Sequence, residues 1–162
     1  MQAIRLNARG NSGVQYVETP PPMIGPGMAR VRLLAASVNR VDVYMRDSGA
    51  GISHTLPQTM GVDGVGEIVE IPEGCGHAVG DRVILYPYEF CGRCRYCLAG
   101  DQPLCTNARI FGEHRDGTFA EEIVVPVVSL VPLPQDASIQ GASALGVAYL
   151  TAWRMVFGKT PT

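Results

Sequence analysis

Long apolar runs are missing from this 162-residue chain. Crossing a bilayer as a helix takes about 20 consecutive, mostly apolar residues, so no membrane span is expected. Charge is sparse and balanced, with 13 Lys and Arg against 15 Asp and Glu and a net charge of −2. No basic stretch exceeds two residues, so neither nucleic acid nor an anionic membrane is expected as a partner. The start, Met1-Gln2-Ala3-Ile4-Arg5, does not read as a secretory signal. Internal repeats and low-complexity tracts are also absent.

Turn formers, by contrast, are abundant. Nineteen glycines and 12 prolines cut the chain into short pieces. Most pieces are rich in Val and Ile: residues 14–17, 29–38, 64–71, 81–85, 121–126 and 129–131. Short β-prone runs separated by turn residues predict a mainly β sandwich or barrel. In residues 29–38, Val31 and Leu33 alternate with Arg30 and Arg32, as a half-buried strand requires. The length accommodates one domain with a real core, or a domain plus a fragment.

Four of the five cysteines fall within fifteen residues, Cys91-Gly92-Arg93-Cys94-Arg95-Tyr96-Cys97 and then Cys105. Two-residue spacers let successive thiolates turn back onto one ion, and tetrahedral zinc takes four sulfurs at roughly 2.3 Å. The intervening residues are mostly polar or glycine, so packing alone would hardly order this loop. We therefore read a closed structural zinc site, with Cys91, Cys94, Cys97 and Cys105 as ligands. Three alternatives are weaker. A disulfide framework strains cysteines three apart and leaves one of five over. An iron–sulfur cluster of the C-x2-C-x2-C type calls for a fourth cysteine after three residues and a following Pro; here the gap is seven residues and Thr106 follows. Redox chemistry at a C-x-x-C pair lacks a surrounding βαβ pattern. Cys75 reads as a loop residue. Thiols kept for a metal suit a reducing cytoplasm.

The texture changes near residue 138. Ser138 reads as an N-cap, and residues 139–145 and 147–157 read as helical, with no Pro before Pro161. Ala144, Leu145, Ala148, Leu150, Trp153 and Val156 spread around most of the circumference. Such a helix is expected to be buried in something larger, as if the chain were the N-terminal part of a longer protein.

These features together resemble the medium-chain dehydrogenase/reductase superfamily, whose catalytic domain is the alcohol dehydrogenase GroES-like domain. Several stretches carry the resemblance, in the family's order: Asn39-Arg40-Val41-Asp42-Val43-Tyr44 for its first active-site loop, then Gly61-Val62-Asp63-Gly64-Val65-Gly66, then Gly80-Asp81-Arg82-Val83. The cysteine lobe, Asp116-Gly117-Thr118-Phe119-Ala120-Glu121 and Leu150-Thr151-Ala152-Trp153 complete it. The resemblance implies a GroES-like β-barrel over 1–132 with a zinc lobe at about 88–108. Residues 133–162 would then form a linker helix leading towards a Rossmann domain beyond Thr162. It also implies an NAD(P)-dependent oxidoreductase acting on a small molecule, inactive as this chain alone, and a homodimer or higher homo-oligomer.

The departures from the pattern matter as much. Zinc alcohol dehydrogenases hold a second, catalytic zinc through a Cys in the first loop, a His in Gly-His-Glu and a third ligand near the exit helix. Here those positions read Asn39 and Val62, and residues 141–151 contain neither Cys nor carboxylate. A catalytic zinc needs three protein ligands. The sequence is therefore similar to the zinc-free, quinone oxidoreductase-like branch, in which hydride passes directly to a quinone- or enone-like carbonyl. On that resemblance Asn39 and Tyr44 are candidates for contacts in the cleft, and Asp42 for organising the loop; a plain turn-stabilising role fits Asn39 and Asp42 equally. His54, His77 and His114 could regroup as ligands, although lone loop histidines usually face solvent. An alcohol dehydrogenase with atypical zinc ligands and a stand-alone zinc-stabilised binding module remain open. Gly61, Gly64 and Gly66 do not form the G-x-G-x-x-G of a dinucleotide cradle, because a strand follows them rather than a helix. They read as close strand crossings.

Overall fold

A computed structural model describes residues 1–51 and 54–158. Residues 159–162, the end of the expected linker helix and the position of Pro161, lie outside the described residues.

The chain is mainly β. Strands β1 (Gln2–Leu6) and β2 (Val14–Glu18) pair as an antiparallel ribbon, and β4 (Gln58–Thr59) joins the far edge of β1. The principal sheet has five strands in the order β10 (Leu130–Pro132), β6 (Arg82–Leu85), β5 (Asp63–Glu70), β3 (Met28–Ser37), β9 (Glu122–Pro126), and its pairings are all antiparallel. The strand runs read from Val/Ile content coincide with β2, β3, β5, β6, β9 and β10 to within two residues. Their inward residues Val31, Ile68, Val83, Leu85 and Val125 form the core together with Phe111 from the loop after β8 (Arg109–Ile110), and all are sealed from solvent. Gly66 belongs to this packing. A Cβ there would collide with the Arg32 carbonyl on the neighbouring strand, the close crossing expected of the glycine-spaced segment.

One irregularity in the sheet serves the cleft. The β3–β5 register shifts between Leu33 and Ala35, after which Ser37 stands opposite Asp63. Bulges re-aim side chains where they occur. Here the end of β3 delivers Ser37 and then Asn39 to the side chain that opens β5.

The segment expected to be an active-site loop is in fact helical from its second residue, α1 (Arg40–Asp47), with Asn39 at its N-cap. The Asn39 N–H donates to the Asp42 carboxyl at 2.7 Å, one half of a capping box. Further on, β7 (Tyr88–Glu89) pairs with β8 (Arg109–Ile110), closing the neck of the cysteine lobe around a short helix, α2 (Arg95–Leu98).

The C-terminal helix differs from its expected form. Ser138 caps α3 (Ile139–Ala142), its Oγ accepting the Gly141 N–H at 3.1 Å. A π-helical turn at Leu145–Tyr149 then precedes α4 (Leu150–Phe157). Ser138→Ala should cost about 1 kcal/mol, the usual worth of an N-cap, measurable by urea titration. The apolar residues of α4 face solvent: Trp153 is 64 % exposed, Met155 81 % and Phe157 62 %.

Candidate metal centre and cleft

The lobe spanning residues 90–104 contributes no residue to the hydrophobic core, so hydrophobic packing cannot account for its order. What it does assemble is sulfur. The sulfurs of Cys91, Cys94, Cys97 and Cys105 all lie within 4.8 Å of one another, and all five cysteines are free thiols. Cys97 Sγ is 4.0 Å from Cys91 Sγ and 3.5 Å from Cys94 Sγ. Four sulfurs at roughly 2.3 Å from a tetrahedral ion would stand about 3.8 Å apart, so the cluster fits zinc. Backbone N–H groups turn inward to the same sulfurs: those of Cys91 and Asn107 reach Cys105 Sγ, and that of Cys94 reaches Cys91 Sγ, each at 3.4 Å.

Titration of the cluster reflects the crowding. The Cys97 N–H lowers the Cys94 thiol to about 6. Desolvation, followed by its hydrogen bonds to Cys94 and Cys105, pushes Cys97 up to about 12. Four adjacent thiols resist ionising together, and a divalent cation removes that conflict. Among the described residues, this is the one group of three or more His, Cys, Asp or Glu side chains close enough to share an ion.

The second site lies where β3, α1, β5 and the π-helical turn meet. Asn39 does not point outward. Its Nδ2 donates to Asp63 Oδ2 at 3.1 Å and to Ser37 Oγ at 3.2 Å. Asp63, fully buried, also accepts from Ser37 Oγ at 3.1 Å and from the Ala148 N–H at 3.4 Å. Its Oδ1, packed under Gly146, has no hydrogen-bond partner among the described residues. Asp42 is buried at the start of α1; desolvation raises its carboxyl to about 6, against lowering hydrogen bonds from the Asn39 and Gly61 backbones.

That shift has a consequence for stability. A carboxyl whose folded value lies above its unfolded value favours the protonated fold, so stability falls as pH rises from about 4 to above 6. The stability lost is on the order of 3 kcal/mol. Asp42→Asn keeps an acceptor for the Asn39 N–H and should remove this component. Urea titrations at pH 5 and pH 8 should therefore show the variant gaining on the parent at the higher pH.

Beside these groups a pocket of about 210 Å³ opens between Val41, Val62, Tyr86, Tyr88, Glu113 and Gly146, with Val147 and Thr151 from the π-helical turn and α4 also lining it. Val62 is buried, so the position that carries a metal-binding His in zinc alcohol dehydrogenases contributes only an apolar wall. Tyr44 lies elsewhere. It falls one helical turn after Arg40 on the exposed face of α1; its hydroxyl accepts from Arg40 Nε at 3.2 Å, and it does not line this pocket. The histidines are dispersed. His54 Nδ1 is 2.7 Å from Arg9 Nη2, His77 sits in the β5–β6 connection, and His114 Nδ1 accepts the Ile110 N–H at 3.1 Å. Desolvation lowers the His114 pKa. Ser37, Asp63 and Glu113 were not singled out as site residues by sequence reasoning. A strand register shift and a loop packing bring them in, and neither leaves a periodic signal.

A mainly β fold with a five-stranded antiparallel sheet, a looped-out four-cysteine lobe and a trailing helix is the architecture of an alcohol dehydrogenase GroES-like domain. The family model described as "Alcohol dehydrogenase GroES-like domain" matches residues 25–135, and the chain belongs to this family, within the medium-chain dehydrogenase/reductase superfamily. It is 36 % identical over 133 residues to the L-threonine 3-dehydrogenase of Pyrococcus horikoshii, covering 80 % of this chain and 38 % of that protein. It is 42 % identical to a crystal structure of an NAD-dependent alcohol dehydrogenase, with a TM-score of 0.89 over 96 % of this chain and 46 % of the other. A cobalt- and zinc-bound thermostable alcohol dehydrogenase from Pyrobaculum aerophilum is 32 % identical, also with a TM-score of 0.89, over 97 % of this chain and 48 % of the other. The chain thus spans less than half the length of the relatives it matches.

Proposed function

We propose that the full-length protein is an NAD(P)-dependent oxidoreductase that reduces a quinone- or enone-like carbonyl without a catalytic metal. Residues 1–132 would form its substrate domain, with 133–162 leading into a dinucleotide-binding domain. The observation carrying this reading is the fate of two positions. Asn39 and Val62 stand where zinc alcohol dehydrogenases place a Cys and a His; the Asn39 amide is spent on Asp63 and Ser37, and Val62 is an apolar wall. An acceptor that is already electrophilic needs no Lewis acid. The nicotinamide supplies the hydride, and the protein supplies placement and hydrogen bonds. The phosphate cradle is not among this chain's motifs, so the cofactor would be held largely by the rest of the protein.

In this reading Asn39 and Asp42 fix the cleft floor from the N-terminus of α1, and Tyr44, turned outward towards Arg40, lies away from the pocket. Cys91, Cys94, Cys97 and Cys105 hold a structural zinc that orders the lobe and takes no part in the reaction. The lobe would also support a homo-oligomer. No helix among the described residues is long and apolar enough to cross a membrane.

A second reading, oxidation of an alcohol by a zinc enzyme with atypical ligands, is favoured by the names of the relatives. Full-length protein should separate the two when NADH and NADPH oxidation is followed against a panel of quinones and enones. Turnover there, with aliphatic alcohols inert, supports the first reading. Turnover confined to alcohols, together with two zinc ions per chain, supports the second.

A further inference from the structure

We propose that Glu113 is the proton donor of the cleft, giving a hydrogen bond and then its proton to the oxygen of the carbonyl acceptor. This rests on the metal-free reading above. Without a Lewis acid, negative charge developing on that oxygen must be met by a proton, and the pocket wall limits who can supply it. Its polar lining consists of Glu113, Tyr86, Tyr88 and Thr151. An aliphatic alcohol is a far weaker acid than a carboxyl group. Burial raises the hydroxyls of Tyr86 and Tyr88 as well, making each a poorer donor. Glu113 remains.

Its placement is built rather than incidental. The residue is 5 % exposed yet lines the pocket, and what acts on its carboxyl among the described residues is desolvation and the Asp42 charge, with no hydrogen bond. The loop presenting it is fixed on both sides. Phe111 is sealed in the core and bridges to Arg115, and the Gly112 N–H donates to the Arg115 carbonyl at 2.8 Å. Gly112, at φ +74°, lies so close to the Gly61 backbone that any Cβ would collide with it. That contact sets Glu113 beside Val62.

The surrounding charges keep the proton on. Burial raises the Glu113 carboxyl above the ordinary range, and the neighbouring Asp42 carboxylate raises it further. Asp63 from β5 is a further buried carboxyl, engaged by Asn39, Ser37 and the Ala148 N–H. Tyr86, between β6 and β7, and Tyr88, at the start of β7, line the same pocket, and Arg154 of α4 bears on both tyrosines while pairing with Asp101. On its own loop, the His114 ring accepts the Ile110 N–H and the Arg115 cation pairs with Glu89 at 2.6 Å, so neither side chain neutralises Glu113. In the step itself, the carbonyl carbon takes a hydride from a dihydronicotinamide and the π pair moves to oxygen. The oxygen takes the Glu113 proton, and the carboxylate is reprotonated from water. The acceptor is reduced by two electrons and the dihydronicotinamide is oxidised.

The test uses full-length protein carrying Glu113→Gln, which can still donate a hydrogen bond but has no proton to give, and Glu113→Leu, which can do neither. With cyclohex-2-enone bound and no reduced cofactor present, difference infrared spectroscopy should find its carbonyl stretch lowered in the parent, lowered less in Glu113→Gln, and unshifted in Glu113→Leu. In turnover, parent kcat/KM should fall as pH rises through the Glu113 value. Glu113→Gln should lose that limb together with on the order of 10²-fold of rate. Unchanged zinc content and Tm in Glu113→Gln would show that the fold is intact. A lowered stretch that persists in Glu113→Leu, or an unaltered pH limb in Glu113→Gln, overturns the assignment. Absence of carbonyl reduction in the parent defeats the metal-free reading instead, and the spectroscopic arm still decides whether Glu113 donates.

Discussion

Cys97→Ser is expected to release the metal and unfold the lobe while leaving the sheet intact. Residues 90–104 give nothing to the hydrophobic core, so in the zinc reading the ion and the β7–β8 neck order that stretch. Structural zinc sites bind with about 10–16 kcal/mol of apparent free energy near neutral pH, and that energy is also the folding energy of the lobe. Three sulfurs and a serine hydroxyl forfeit much of it. The core around Val31, Ile68 and Val125 draws none of its buried residues from that loop, so the damage should remain local. Hydrogen exchange should show residues 91–105 losing protection while β3 and β5 keep theirs, and zinc per chain should approach zero. A variant that holds its zinc and its protection would mean that the sulfurs are not what organises the lobe.

Phe111→Ala should produce the largest loss of global stability from a single core change. Phe111 is the largest of the fully buried side chains, and it anchors the loop that carries Glu113. Truncating a buried Phe typically costs about 3–5 kcal/mol through lost transfer energy and the cavity left behind. For a chain of this size that corresponds to a fall in Tm of roughly 10 °C. Arg115 would also lose the ring face it covers at 5.4 Å. Trp153→Ala makes the contrast: it removes a larger side chain, but one that is 64 % exposed in this chain. Its effect should stay within about 0.5 kcal/mol. Chemical denaturation of the two variants side by side checks both expectations, and equal losses would place the core elsewhere.

The strands were legible in the sequence because turn residues delimit them and their Val and Ile runs pack on one core. The metal ligands were legible because zinc fixes both the donor type and the spacing. Other features were hidden for physical reasons. α1 was hidden because the family resemblance casts residues 39–44 as an active-site loop, whereas the Asn39–Asp42 cap starts a helix there. The π-helical turn at Leu145–Tyr149 depends on the Asp63 carboxyl, distant in sequence, which accepts the Ala148 N–H. Tyr44 looked like a cleft residue from its place in the motif, whereas helical periodicity turns it outward towards Arg40. Glu113 carried no sequence signal, because the Gly112–Gly61 contact that brings it to the pocket links residues about fifty apart.

Counting and locating metal in full-length protein is the most direct test of a cleft that works without an ion. Elemental analysis should find one zinc per chain, and an anomalous map should place it among Cys91, Cys94, Cys97 and Cys105. A second zinc equivalent, with anomalous density beside Asn39 and Asp63, would contradict the account.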